Sequence, residues 1–194
     1  MTVDITPKDS SMNDEEKIRI SSLWETLKRY DTYIGTINFK GGLLASFNVA
    51  VFGGILLKLD TLNISNPIYK WTTLAFLVIT FTSTSIALYW VIKSIWPNLT
   101  SASNESPRAP SMIFFGSVAN NFSTESFKSL MATRTSKEIE TDLCIQIHEM
   151  AIITQLKFKL ISNSSFFSKI TIISLLGLAI TFSLNHFGVL LCQG

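Results

Sequence analysis

Three stretches of the chain, Leu43 to Leu57, Trp71 to Ile92 and Ile170 to Leu191, are dominated by apolar residues and contain no Asp, Glu, Lys or Arg. Segments of this length and composition predict helices that cross a lipid bilayer. The middle one, WTTLAFLVITFTSTSIALYWVI, carries Trp71 at one rim and Tyr89, Trp90 and Trp96 at the other, where amphipathic rings settle at the headgroup level. The first lies between Lys40 and Lys58 and is shorter. Lysines that extend their charge to the interface let such a segment cross; a buried helix of a soluble protein is the competing reading.

Outside the spans the period stays helical but the pattern becomes two-sided. Ile20, Leu23, Trp24, Leu27, Tyr30, Ile34 and Ile37 recur on one stripe, with Lys17, Glu25, Lys28, Arg29 and Asp31 beside or opposite it, which predicts an amphipathic helix over 14–40. No proline interrupts the passage into Gly41 and Gly42. Helix and span are therefore expected to be nearly continuous, the glycine pair allowing a bend or close packing. A second long helix is predicted over 136–162, capped by Thr135 or Ser136, with Ile139, Leu143, Ile147, Met150 and Ile153 in register. Its acidic start and its basic finish at Lys157 and Lys159 suit the helix dipole. Asn163, Ser164 and Ser165 read as a break before the third span, and the two amphipathic helices are expected to pair antiparallel. The remaining divisions are a loose tail over 1–13, spans over 41–58, 71–92 and 167–191, an external loop over 59–70 and a connection over 93–135. That connection begins with a Ser-, Asn- and Pro-rich run and then carries Ile113, Phe114 and Phe115; these anchor a small core or lie on the membrane surface. The fold class is an all-α membrane protein, three transmembrane helices with a small cytoplasmic helical domain.

Charge supplies the orientation. Residues 1–40 and 93–169 hold fourteen of the sixteen Lys and Arg, so the positive-inside rule places the amino terminus and the central segment in the cytoplasm. The first sixteen residues are polar and acidic and read as no cleavable signal. Cys144 and Cys192 then fall on opposite sides, which argues against a disulfide between them.

Polar residues inside the spans carry the candidate chemistry. Gly42, Ser46, Ala50 and Gly53 or Gly54 form a small-residue face on the first span that permits close helix contact. Ser174, Gly177, Thr181, Asn185 and Gly188 form a mixed face on the third, with His186 beside it. A lipid-facing Asn or His is costly, so this stripe should meet protein or water. Ser174, Thr181, Asn185 and His186 are the candidate pore lining; ordinary interhelical packing is the alternative, as it is for the hydroxyls of Thr80 to Ser85. No catalytic signature is present: His148 and Cys144 make half a metal site, there is no phosphate loop or nucleophile elbow, and no metal or cofactor is expected. The Asn-X-Ser/Thr triplets follow from an Asn- and Ser-rich composition. Asp31, beside the apolar stripe and nine residues before Lys40, suits a salt bridge or ligand contact as well as a solvated carboxylate.

Three pieces, RYDTYIGTINFKGGLL with Asp31 and Lys40, PSMIFFG, and DLCIQIHEMAIITQLKFKLI with Asp142, Gln146 and Lys157, followed by the last span, resemble the transmembrane effector module of the bacterial Pycsar antiphage systems over most of residues 20–190. The resemblance implies an inner-membrane protein that opens a pore or disrupts the bilayer when a phage-induced nucleotide second messenger appears, with growth arrest or death of the cell. It implies self-association and functional coupling to a nucleotide-synthesising enzyme. Asp31, Lys40, Asp142, Gln146 and Lys157 become candidates for gating or bracing. Some relatives carry a separate cyclic-nucleotide-binding domain, for which this chain has no room. A cyclic nucleotide or short oligonucleotide would have to be sensed by the short cytoplasmic part, at an oligomer interface or through a partner. Lys128, Arg134, Lys137 and Lys159 are candidate phosphate contacts. A membrane adaptor for a soluble enzyme and a small-solute transporter remain the other readings.

Overall fold

The computed structural model describes residues 13–58, 67–96 and 110–191, with side chains to 187. The expected tail, most of the external loop and the Ser-rich start of the connection lie outside the described residues. Five helices follow in order: α1 (Asp14–Lys58), α2 (Pro67–Ile95), α3 (Phe115–Asn121), α4 (Thr124–Thr133) and α5 (Ser136–Leu191). The described residues are all-α, and α1, α2 and α5 are each long and apolar enough to cross a membrane.

The chain forms two compact units. One comprises Met1–Tyr33 and Leu99–Ile153, the other Ile34–Asn98 and Thr154–Gly194; they are called the head and the membrane unit. Helices α1 and α5 contribute residues to both.

In the head, the stripe read from the sequence is the inward one on α5: Leu143 is buried and Ile139, Ile147, Met150 and Ile153 are half-buried. Helix α5 begins where its cap predicts. The Glu138 carboxylate accepts from the Thr135 backbone N–H and hydroxyl at 2.9 and 3.0 Å, a reciprocal cap that occupies otherwise orphaned groups. The Thr135 N–H, with its hydroxyl, holds the Glu138 carboxyl below its ordinary value. A second capping box, between Ser123 and Ser126, starts α4. Arg19 of α1 pairs with Glu140 of α5 at 3.2 Å. Of the aromatic piece, Ile113 and Phe114 are half-buried whereas Phe115 is exposed, so the two neighbouring rings share only part of their surface with the rest of the head.

In the membrane unit three helices pack lengthwise, and residue separations give their directions. Between α1 and α5 the separation stays nearly constant, 119 at Asn38–Lys157 and 120 at Asn48–Ser168, as only a parallel pair allows. The antiparallel pairing expected of these two helices is thereby corrected within this unit. The physical reason is that α2 returns the chain before α5 begins. Between α2 and α5 the separation falls from 98 at Phe76–Ser174 to 63 at Ser94–Lys157, so that pair is antiparallel.

The expected break at Asn163–Ser165 is also corrected, because α5 passes through it without interruption. Ser164 is fully buried and its hydroxyl donates to the Ala87 carbonyl of α2 at 2.9 Å. The polar run is an interhelical contact. Gly41, in contrast, is the close-packing point foreseen: a Cβ there would stand 3.2 Å from Ile161 Cδ1 and 3.3 Å from Ile95. Gly42, the next residue along the helix, has open space.

Candidate functional site: a hydroxyl seam and a buried lysine

The interior of the membrane unit is unusually rich in oxygen. Its buried apolar residues include Ile37, Val91 and Ile161, but Asn48, Thr80, Ser83, Thr84, Ser164, Ser168, Thr171, Ser174 and Thr181 are buried beside them. In hydrocarbon each such group must find a partner inside the protein, and most do. Ser83 Oγ meets Thr171 Oγ1 at 2.9 Å. Thr80 Oγ1 lies 2.8 Å from Ser174 Oγ, and Ser168 accepts from the Asn48 amide at 2.8 Å. Hydroxyls of Thr80, Ser168, Thr171 and Thr181 also donate to the carbonyl four residues back, as the sequence suggested for such residues. The result is a seam of side-chain oxygens between α2 and α5, joined from α1 by Asn48.

Glycine fixes how closely α2 and α5 approach along it. A Cβ on Gly177 would stand 2.5 Å from Phe76 Cε1, so the ring occupies the space that any side chain here would take.

The seam ends at Lys157. This lysine is only 9% exposed, and its ammonium donates to the Ser94 carbonyl and to Asn38 Oδ1. The Ser94 hydroxyl answers with a long contact to the Lys157 carbonyl at 3.5 Å. One side chain thus ties all three helices together. Ser94 lies in the last turn of α2, where carbonyls lack helical partners and the dipole is negative, so a cation is well placed there. Burial nevertheless pushes the Lys157 ammonium below its ordinary pKa. The ion pairs found among the described residues, Asp14–Lys17, Arg19–Glu140, Glu25–Lys28 and Asp142–Arg134, do not include it. Three buried side-chain oxygens of the unit have no hydrogen-bond partner: Asn48 Oδ1, Thr73 Oγ1 and Thr154 Oγ1.

The head has a polar cluster of its own. The buried Asp142 carboxylate accepts from the Met112 backbone N–H at 2.9 Å and stands 3.6 Å from the Arg134 guanidinium. One turn later, Gln146 donates to Ser111 Oγ at 3.2 Å. Ser111 Oγ in turn accepts from the N–H groups of Ile113 and Phe114, both at 3.1 Å. Asp142 and Gln146 therefore clasp residues 111–114 onto α5.

These placements sort the residues singled out from the sequence. Ser174 and Thr181 face the protein interior, Asn185 is half-buried and His186 exposed. Asp142 and Gln146 join one cluster and Lys157 another. Asp31, Lys40, Lys128, Lys137 and Lys159 are exposed, and Arg134 is drawn to Asp142. Asn48, Ser94, Asn38, Thr154 and Ser111 were missed. An amide in the middle of an apolar span is costly unless it serves a contact, and that signal at Asn48 was available.

Residues 22–184 match the family model described as Pycsar effector protein domain. The chain belongs to the Pycsar effector family. Pycsar effector domains are non-catalytic membrane effectors, and they act with nucleotide-synthesising partner enzymes. Among the described residues no group of three His, Cys, Asp or Glu side chains is arranged to hold a metal. Family and fold together make the protein a multi-pass protein of the inner membrane. No curated protein and no solved structure matches the chain. The family match spans both units, and so covers the seam and the Asp142 clasp alike.

Proposed function

We propose that this Pycsar effector is an antiphage pore: copies of the chain associate in the inner membrane and depolarise the cell when a nucleotide signal reaches the head. The observation that carries the reading is the oxygen seam between α2 and α5, in a family of membrane effectors. Fourteen of the sixteen Lys and Arg lie in residues 1–40 and 93–169, which supports a cytoplasmic amino terminus and head. Gly42 and Gly54 on α1 are exposed with no atom within 4 Å of an added Cβ, leaving room for close approach by another copy. Ser174, Thr181, Asn185 and His186 line the conducting path. Hydroxyls bonded within the closed chain exchange those partners for water on opening. Asp31, Lys40, Asp142, Gln146 and Lys157 set the balance between closed and open arrangements. Lys128, Arg134, Lys137 and Lys159 supply positive charge for a cyclic nucleotide or short oligonucleotide, bound directly or delivered by a partner.

Expression together with the nucleotide-synthesising enzyme, with membrane potential followed by a voltage-sensitive dye during infection, tests the reading. Rapid depolarisation that is weakened by Asn185→Leu at matched membrane levels is expected. Unchanged potential with a stably copurifying enzyme would make the protein an adaptor, and saturable solute uptake would make it a transporter.

A further inference from the structure

The hydrogen bonds between helices set how deep each residue of α5 lies in the membrane unit. Lys157 reaches Asn38 of α1 and Ser94 of α2, which brings Lys40, Lys93 and Lys159 to one level. Further along, Asn48 bonds Ser168 and Ser83 meets Thr171. Lys169 therefore stands beside the middle of two charge-free runs, one between Lys40 and Lys58 and one between Lys70 and Lys93. The apolar run that begins at Ile170 puts this lysine at a rim; the register of the three helices puts it inside. Ten residues of helix separate it from Lys159, about 15 Å at the α-helical rise and half of a hydrocarbon core about 30 Å thick.

Lys169 is exposed, on the far side of α5 from the buried Thr171 and Ser174. Among the described residues no hydrogen bond or ion pair holds it. Its neighbours one turn away, Phe166, Ile172 and Ile173, are exposed apolar side chains, the surface that a helix turns to lipid. No carboxylate can reach it there, from this copy or another, because residues 34–58, 67–96 and 154–191 contain no Asp or Glu. The side chain of a helical lysine leans toward the amino end of its helix, here past Ser165 and Ser162 on the same flank. Even extended, it falls short of the Lys159 level. A charge held in hydrocarbon is met by local thinning of the bilayer, with water and headgroups drawn toward it.

We infer that Lys169 holds a lipid phosphate, with its water, deep in the bilayer beside α5, and thins the membrane there. The phosphate is the anionic group that a bilayer can itself bring to an ammonium at this depth. One copy suffices, with no assembly or nucleotide, so the site stands or falls apart from the pore reading.

The test uses the full chain in vesicles of phosphatidylcholine and phosphatidylglycerol. A nitroxide is attached at Ile173→Cys, one turn beyond Lys169 on the exposed face, with Cys144→Ser and Cys192→Ser removing the native thiols. Phosphorus NMR reads the relaxation of lipid phosphate by the nitroxide, and electron spin resonance reads its collisions with a water-soluble nickel chelate. With Lys169 in place, phosphorus relaxation should exceed that of Lys169→Leu roughly fivefold, the scale on which one lysine attracts anionic lipid. Lys169→Arg should retain the signal, and Lys169→Leu should also lower nickel collision. Leucine suits an exposed apolar face, so folding is unaffected. Equal phosphorus relaxation with and without Lys169→Leu would overturn the inference. So would nickel collision that depends on Lys169 without phosphorus relaxation, the signature of a water-filled lumen between copies. Infected cells that keep their potential, with the phosphorus signal intact, would count against the pore reading alone.

Discussion

Thr80 and Ser174 share one acceptor: both hydroxyls reach the Phe76 carbonyl, at 2.7 and 2.8 Å, while standing 2.8 Å from each other. A helical carbonyl already engaged along α2 thus also receives a hydroxyl from α5. This triangle makes the contact between two spans depend on polar geometry rather than on apolar shape alone.

Replacing Thr80 by Val keeps the shape and removes the hydroxyl, and Ser174→Ala removes its counterpart. Each single substitution should destabilise the membrane unit, and the coupling between them should be about 0.6 kcal/mol, the scale of interhelical hydrogen bonds in lipid. Thermal or denaturant unfolding in a double-mutant cycle gives the value directly. Strict additivity would mean that the two hydroxyls do not work as a pair.

Gly177 supplies a second, steric prediction. An added Cβ meets Phe76 Cε1 and Cζ at 2.5 and 2.6 Å, so Gly177→Ala must turn the ring aside at a cost of roughly 1–3 kcal/mol. Combining it with Phe76→Leu should recover part of that loss. Unfolding midpoints of the two single variants and the double variant decide the matter.

In the head, Asp142→Ala strands a buried backbone N–H at Met112 and leaves Arg134 without its carboxylate. A cost of about 1–3 kcal/mol is expected, together with faster amide hydrogen exchange over 111–114. Asp142→Asn retains an acceptor and should slow the exchange again, although the charge is lost. Exchange confined to its original rate in Asp142→Ala would show that the clasp holds nothing.

The buried lysine gives stability a signed dependence on pH. Burial lowers the Lys157 pKa in the folded chain from 10.5, so above that lowered value the unfolded chain binds more protons than the folded one. Stability contributed by this group therefore rises as pH climbs from the lowered pKa toward 10.5. The difference in unfolding free energy between wild type and Lys157→Met, measured across alkaline pH, isolates it. A flat difference would show that the ammonium is as well solvated as a surface lysine.

Sequence pattern determined the three spans and the inward stripe of α5, and narrowed the cap of that helix to Thr135 or Ser136, because each depends on residues within a few turns of one another; on α1 the stripe is buried at Ile37 but exposed at Trp24. The pattern also marked the third span's polar face. What that face meets was decided by tertiary structure: Ser174 bonds across to Thr80 and Phe76, whereas His186 stays exposed. Asn163 to Ser165 resembled a break because a local reading sees polar side chains without the Ala87 carbonyl that receives Ser164. Likewise, Lys157 was legible as a charge near a span, but its burial was not. Asn38 lies 119 residues away and Ser94 lies 63, and oxygens that far apart in sequence converge only when three helices pack in one register.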